Sequence, residues 1–415
     1  MRHIRRSFAP LSVPNYRRFF VGQVFARCGV WIQTVAELWL VLRLTGSGVA
    51  LGLTTALQFT PMLLLGAWAG VWADRLPKRW ILVAAQAWLI VPAVTLAVLT
   101  ATGAVELWMV YALVLARGLG KAVDNPVRQS FVMEVVGREH VAAAVSLNSA
   151  VVSTARFVGP AVGGTVISFA GVTPCFVAGS VAFIVALGAL LSIDDGALHR
   201  AAFSVRRPGQ LREGVRHAWS NPGLRVPLAA MAVVGTLAFN FQVVLPLMAR
   251  YTFDAGAGTY GALAAAMGAG ALFGAVANAG RGSPSVVGLA TLALMFGMAM
   301  TALAAAPTPA IALAALVLVG ASSASFAATT NSLLQLSAAP AIRGRVMALW
   351  SVVYLGSTAI GGPVVGWLAQ NAGARAGVLV GAVATLVTGI ALLRVAGRQT
   401  RPASAATGLR IDSPL

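Results

Sequence analysis

The sequence predicts an all-α integral membrane protein of about twelve transmembrane helices, built as two related, pseudo-symmetric six-helix halves. Three observations carry that reading. Apolar runs of 18 or more residues recur from Phe19 to Leu393, each long enough to cross a bilayer. Charged residues make up only 10% of the chain while hydrophobic ones reach 58%, and soluble domains carry roughly 25% charge. A Gly-Pro motif also appears twice, in matching helices of the two halves.

The spans read from the apolar runs are residues 19–43, 48–73, 80–102, 107–127, 141–166 and 174–193, then 224–249, 257–279, 286–306, 309–335, 346–370 and 376–396. If the N-terminus is cytoplasmic, 23 of the 30 Lys and Arg residues fall in inside-facing segments. Only Arg43, Arg250 and Arg375 fall outside, and Arg27, Arg117, Lys121 and Arg156 lie within spans. This asymmetry places both termini in the cytoplasm of a bacterial-type plasma membrane. It also explains a net charge of +19 through contact with anionic lipid headgroups, so nucleic acid is not expected as a partner. A cysteine placed at Ser204 should react with a membrane-impermeant maleimide only after cells are opened, and one at Ala255 should react in intact cells; the reverse labelling would invert the topology. The basic start leads into a full-length span without a small-residue cleavage site, so the first helix is expected to be retained. Cys28 and Cys175 have no metal-like spacing and read as buried free thiols; no metal or cofactor is expected.

The widest polar interval follows the sixth span and divides the chain. The expected organisation is an N-terminal six-helix half over 1–193, a cytoplasmic linker over 194–223 with a short amphipathic helix near 211–219, a C-terminal half over 224–396 and a tail over 397–415. The stretch ARFVGPAVGG supplies Gly159, Pro160, Gly163 and Gly164, and TAIGGPVVGW supplies Gly362, Pro363 and Gly366. Small residues every fourth position let helix backbones approach closely, and a proline makes each helix bendable. Repeated halves with breakable helices at matching positions mark secondary transporters whose halves rock about a central site.

Between the second and third spans lies GVWADRLPKR, with Gly70, Asp74, Arg75, Lys78 and Arg79. This loop resembles the cytoplasmic loop motif of the major facilitator superfamily, with Pro77 where that motif usually has glycine; the equivalent loop of the second half, NAGRGSPS, keeps only Arg281. GPAVGG is similar to the superfamily's antiporter and exporter motif. The stretches running from Val123 to Pro160 and from Phe239 to Ala275 resemble the branch containing the enterobactin exporter and macrolide-efflux-like proteins. The resemblance covers nearly the whole chain. It implies the major facilitator fold and export of a metabolite, siderophore or drug driven by proton influx, with the first and fourth helices at the central cavity. It also favours Arg156 as an anchor of the N-terminal half.

Charges inside a membrane each cost roughly 2.5–3.5 kcal/mol or more, so each needs a reason. Arg117, Lys121, Asp124 and Arg128 project within roughly 60° of one another on a helix turning 100° per residue. That stripe has to face a wet cavity or partner charges. Arg27, Arg117, Lys121 and Arg156 are therefore the candidate cavity cations. Glu37 and Asp124 are the only carboxylic acids inside spans, which makes them the candidates for proton coupling, Glu37 ahead of Asp124. By depth, Glu37 lies near Arg117 and Arg156, and Arg27 near Asp124. Gln33, Gln58, Asn148, Asn240, Gln242 and Asn331 are candidate substrate contacts, and Trp31, Phe59, Phe326, Trp350 and Tyr354 could stack an aromatic substrate. The loop from Asp74 to Arg79, a carboxylate flanked by cations beside a helix end, is expected to latch one conformation of the cycle.

No GxxxxGK[ST], HExxH or GxSxG signature is present, so an ATP-driven pump or an intramembrane hydrolase lacks its chemistry, and no enzymatic activity is expected. The expected function is a secondary active transporter, monomeric, with a small-molecule substrate, protons and membrane lipids as its partners. The alternatives are a proton-coupled importer or uniporter and, in a different class, a non-transporting receptor or scaffold.

Overall fold

A computed structural model describes residues 8–199, 216, 219–279, 283–339 and 342–399, with the side chains of 66–75, 138, 279 and 399 outside the description. The postulated amphipathic helix near 211–219, Ser204, Arg281, the tail beyond 399 and the side chains of Gly70, Asp74 and Arg75 lie outside the described residues or side chains.

With no water in the bilayer to satisfy backbone groups, a chain this apolar pairs them within helices. A short 3₁₀ turn, Ala9–Ser12, leads into α1, Pro14–Thr45. Pro14 opens it where a missing N–H is harmless, and Gly46 closes it in the left-handed region, φ 63°, donating to the Leu42 carbonyl at 2.9 Å. There follow α2 (Gly48–Arg75), α3 (Lys78–Thr102), one helical run from Leu107 to Ala170, and α6 (Thr173–Leu191). Gly137, at φ 68° and ψ 174°, breaks the long run into α4 (107–136) and α5 (138–170). That backbone region is essentially restricted to glycine. The ring of His199 also sits 3.3 Å from where a Cβ at position 137 would stand.

α7 spans Pro222–Thr252 and is interrupted at Phe239 and Asn240. The Asn240 side chain donates to the Thr236 carbonyl at 2.6 Å, satisfying an acceptor in the turn before the break. α8 (Ala257–Ala279), α9 (Val286–Ala305), α10 (Pro309–Ser337), α11 (Arg343–Ala372) and α12 (Ala374–Gln399) complete the bundle. Ser285 and Thr308 cap α9 and α10 through Gly288 N (3.0 Å) and Ile311 N (3.5 Å).

Helices α1 to α6 pack among themselves, as do α7 to α12, and the two groups meet chiefly where α2 lies on α11 and α5 on α8. Both contacts are backbone to backbone. A Cβ at Gly52 would stand 2.4 Å from the Gly362 carbonyl oxygen, one at Gly48 would stand 2.5 Å from that of Gly366, and one at Gly164 would stand 2.5 Å from the Gly261 Cα. Gly159 instead faces Trp31 of α1 and Gly163 faces Ile32. Gly164, Gly362 and Gly366 of the paired Gly-Pro stretches therefore line the contacts between the groups.

One boundary needs correction. α4 was expected to end at 127, because a cation at position 128 reads as a membrane border. It continues to 136, since Val127, Phe131, Val132, Val135 and Val136 bury against Tyr16, Phe19 and Leu82, and Arg128 is buried with a partner on its own helix. Cys28 is half-buried rather than buried, and Cys175 is buried; both are free.

Candidate functional site

The interior polar groups sort into two closed networks and one open cavity. In the first network Arg117 is fully buried and reaches two other helices, α1 and α2. Its Nη2 donates to Glu37 Oε2 in a short ion pair and to Gln58 Oε1 at 3.0 Å, and its Nη1 donates to Thr34 Oγ1 at 3.1 Å. Gln33 Nε2 donates to the other Glu37 oxygen at 2.8 Å. Charge-assisted bonds of this kind are the strong ones; Arg117 Nε and Gln33 Oε1 stay buried without a hydrogen-bond partner. In the second network Arg128 grips Asp124 one turn back through Nη2 (2.5 Å) and Nε (2.9 Å) and reaches Gln86 Oε1 at 3.1 Å. Its guanidinium also lies 5.8 Å over the Phe19 ring. The stripe on α4 is thus neutralised at Arg117 by a neighbouring helix and at Arg128 by its own.

The cavity, of about 310 Å³, lies between the two helix groups. Arg27, Lys121 and Arg156 reach its wall from α1, α4 and α5. Arg27 Nη1 makes a long 3.4 Å contact with Asn125 Oδ1, and Arg156 lies 5.5 Å over the Trp31 ring. Phe239, Phe241, Tyr260 and Tyr354 form the opposite side, with Gln242 among them.

Several expected cavity residues are elsewhere. Arg117 is sealed behind the wall by Glu37, and Gln33 is fully buried against the same carboxylate. Asn240 is spent on the backbone break in α7, Asn331 accepts from Gln335 at 2.5 Å, and Asn148 is half-buried off the wall. Of the six amide candidates, only Gln58 and Gln242 line the cavity. Trp31, Phe59 and Tyr354 line it too, whereas Phe326 is buried in the core and Trp350 stacks on Tyr354 at 5.1 Å. Asn125, Phe239, Phe241 and Tyr260 were missed. Asn125 was readable in principle, one turn beyond Lys121 on the charged stripe; the aromatics carried no comparable signal.

Two contacts roof the bundle at the end carrying Gly46. Tyr251 Oη donates to the Gly46 carbonyl at 2.8 Å. Gln370 Oε1 accepts from Ser47 Oγ at 2.6 Å and from the Val49 backbone N–H at 3.1 Å, capping α2 from the other helix group. At the opposite end, Lys78 ion-pairs with Glu134 at the end of α4. Arg79 meets Asp195 at 3.3 Å and donates to the Leu191 carbonyl at 2.7 Å.

A family profile described as transmembrane secretion effector matches residues 5–415. The chain belongs to that family. It is a membrane transporter of the major facilitator type, as are its relatives. The multidrug efflux pump Tap of Mycolicibacterium fortuitum is 26% identical over 382 residues, 88% of this chain and 91% of that protein. The staphyloferrin A transporter of Staphylococcus aureus is 26% identical over 170 residues, 41% of this chain and 43% of that protein, so this match spans less than half the relative's length. In fold, the chain resembles the nucleoside transporter NupG (TM-score 0.72, 12% identity, 92% of this chain and 98% of that one). It also resembles a POT family transporter solved with 5-aminolevulinic acid (TM-score 0.74, 12% identity, 93% and 96%). At such identities the likeness is one of fold.

Proposed function

We propose that this member of the transmembrane secretion effector family is a proton-driven exporter of a small amphipathic metabolite, siderophore or drug. It works by alternating access, with segments 1–193 and 224–396 rocking about the central cavity and the linker 194–223 and both termini in the cytoplasm. The observation that carries the reading is the cavity itself, shared by both helix groups at mid-depth and roofed at one end by contacts that cross between them. The similarity to an efflux pump along nine-tenths of its length supports the outward direction. Glu37 is the coupling carboxylate: its partner Arg117 comes from another helix of the same half, so the pair opens when α1 and α4 shift against each other within that half as the two halves rock. Asp124, held by an arginine on its own helix, keeps its partner through any rigid-body motion and serves structure.

The test is efflux of a chemically broad panel from deletion and overexpression cells, followed by flux of the responding compound in proteoliposomes with an imposed pH gradient. Efflux that ignores the gradient removes the proton coupling, and net uptake removes the direction.

The roof makes its own prediction. Gln370→Ala deletes two hydrogen bonds between the groups, each worth about 0.5–1.5 kcal/mol at most at an exposed site. Together they amount to about 1–3 kcal/mol, so the state open at the Gly46 end should gain roughly five- to 150-fold in population at ~1.4 kcal/mol per factor of ten. In a background lacking Cys28 and Cys175, a cysteine at Ala264 on the cavity wall should then react faster with an impermeant thiol reagent applied from that side. Unchanged reactivity would show that the roof rests on other contacts.

A further inference from the structure

We infer that the cavity is built for an anionic substrate with an aromatic or flat apolar body, oriented with its charge toward α1, α4 and α5. The inference deepens the exporter reading by taking the cavity as the transport site; it does not depend on the direction of transport.

The charge balance is the argument. Every charged residue on the cavity wall is a cation: Arg27, Lys121 and Arg156. The carboxylates that could have answered them are occupied, Glu37 by Arg117 and Asp124 by Arg128. Of the remaining acids with described side chains, Glu134 and Asp195 pair with Lys78 and Arg79 and Glu106 accepts from the Trp108 indole, all at the ends of the bundle. No carboxylate is within ion-pair distance of Arg27, Lys121 or Arg156 among the described residues. Arg156 Nε is buried without a hydrogen-bond partner. Three cations with no carboxylate in ion-pair contact are costly to keep inside a membrane domain, and an anion is the species that relieves them. A carboxylate matches an arginine fork through two parallel hydrogen bonds, which favours a carboxylate head over a neutral or cationic one.

The far wall fixes the rest of the ligand. Phe239, Phe241, Tyr260 and Tyr354 offer ring faces and edges, and Gln242 contributes an amide whose oxygen has no partner. The two sides come from different helix groups, so a ligand with a charged head and an aromatic body touches both at once. At about 310 Å³ the cavity sits at the small end of the range for ligand pockets.

Binding is measured by calorimetry on the purified full-length protein, with naphthalene-2,3-dicarboxylate, whose two charges share one end of the ring system, as probe and its dimethyl ester and the 2,3-bis-methylammonium dication of naphthalene as comparators. The dianion is expected to bind at least about tenfold more tightly than either comparator, a difference of ~1.4 kcal/mol. Lys121→Gln and Arg156→Gln should each remove most of that preference, read as the ratio of dianion to ester affinity with the melting temperature as the check on folding, and Arg156→Lys should keep most of it. A dianion that binds no better than the ester or the dication overturns the inference. So does a preference that survives both glutamine variants. Because the measurement is made at equilibrium in detergent, failure of the exporter reading in flux assays leaves this result readable, and the converse holds.

Discussion

Replacing Glu37 with glutamine is expected to abolish accumulation of substrate against a gradient, and the dependence of transport on pH, while substrate exchange persists. One proton moving with the membrane potential supplies about 2.3 kcal/mol per 100 mV, which at ~1.4 kcal/mol per tenfold sustains roughly a forty-fold gradient of a neutral substrate. Glutamine keeps the shape and a hydrogen-bonding oxygen for Gln33 and Arg117 but cannot carry the proton, so the proton's contribution to the gradient should be lost. The substitution also leaves Arg117, fully buried, without its counter-charge, and breaking a buried pair costs about 3–5 kcal/mol. A lower melting temperature is therefore part of the expected result. Stability and coupling separate in the double variant Glu37→Leu with Arg117→Met: exchanging both partners for apolar groups is often near neutral in stability. That protein should fold and still fail to accumulate substrate. Full proton-driven efflux by Glu37→Gln would exclude this residue as the coupling group.

The second large effect is expected at the α5–α8 contact. Gly164→Leu should trap the transporter open at the Gly46 end and lower transport by one to two orders of magnitude. A Cβ at this position would lie 2.5 Å from the Gly261 Cα and 2.8 Å from the Ala257 carbonyl oxygen; both are backbone atoms of the other helix group and cannot step aside. Overpacking costs roughly 1–3 kcal/mol, and because the penalty falls on the roofed state alone it shifts the equilibrium roughly five- to 150-fold. Gly188→Ala is the control, since nothing lies within 4 Å of the added carbon. Reactivity of a cysteine at Ala264 from the Gly46 side should rise in the first variant and stay constant in the second. Wild-type transport by Gly164→Leu would mean that the two groups never press together here during the cycle.

The helices were legible because their cause is local. Lipid demands about twenty apolar residues per crossing, and several helix ends fall at residues suited to them, such as Pro14, Gly46, Gly103 and Thr308. The site was legible only in part, for reasons visible in individual residues. The charged stripe on α4 follows from helical periodicity, but whether a stripe residue faces water or a partner is decided by other helices. Arg117 and Lys121 share that stripe; Thr34, Glu37 and Gln58 close over the first, and the second reaches the cavity. Asn240 and Gln242 looked alike in sequence. A break in α7 consumes the first on a backbone carbonyl, and the second remains on the wall. The roof could not have been read at all, since Gln370 and Ser47 stand 323 residues apart and neither is unusual where it sits.

The stripe on α4 bears on how the protein is made. Among the described residues, eleven helices are long and apolar enough to enter a bilayer unaided, and α4 is not one of them. Arg117, Lys121, Asp124 and Arg128 together impose about 10 kcal/mol on insertion scales, against which each leucine or valine returns only about 0.3–0.6 kcal/mol. α4 carries one remedy in itself, the Asp124–Arg128 pair, and finds the other in α1, made 80 residues earlier. At synthesis rates of roughly 5–20 residues per second, Glu37 waits on the order of ten seconds before Arg117 emerges from the ribosome. Holding α1 to α3 within reach over that interval would let the first four helices enter the membrane as a co-operative set, with Glu37 easing the insertion of Arg117 as well as pairing with it in the folded protein.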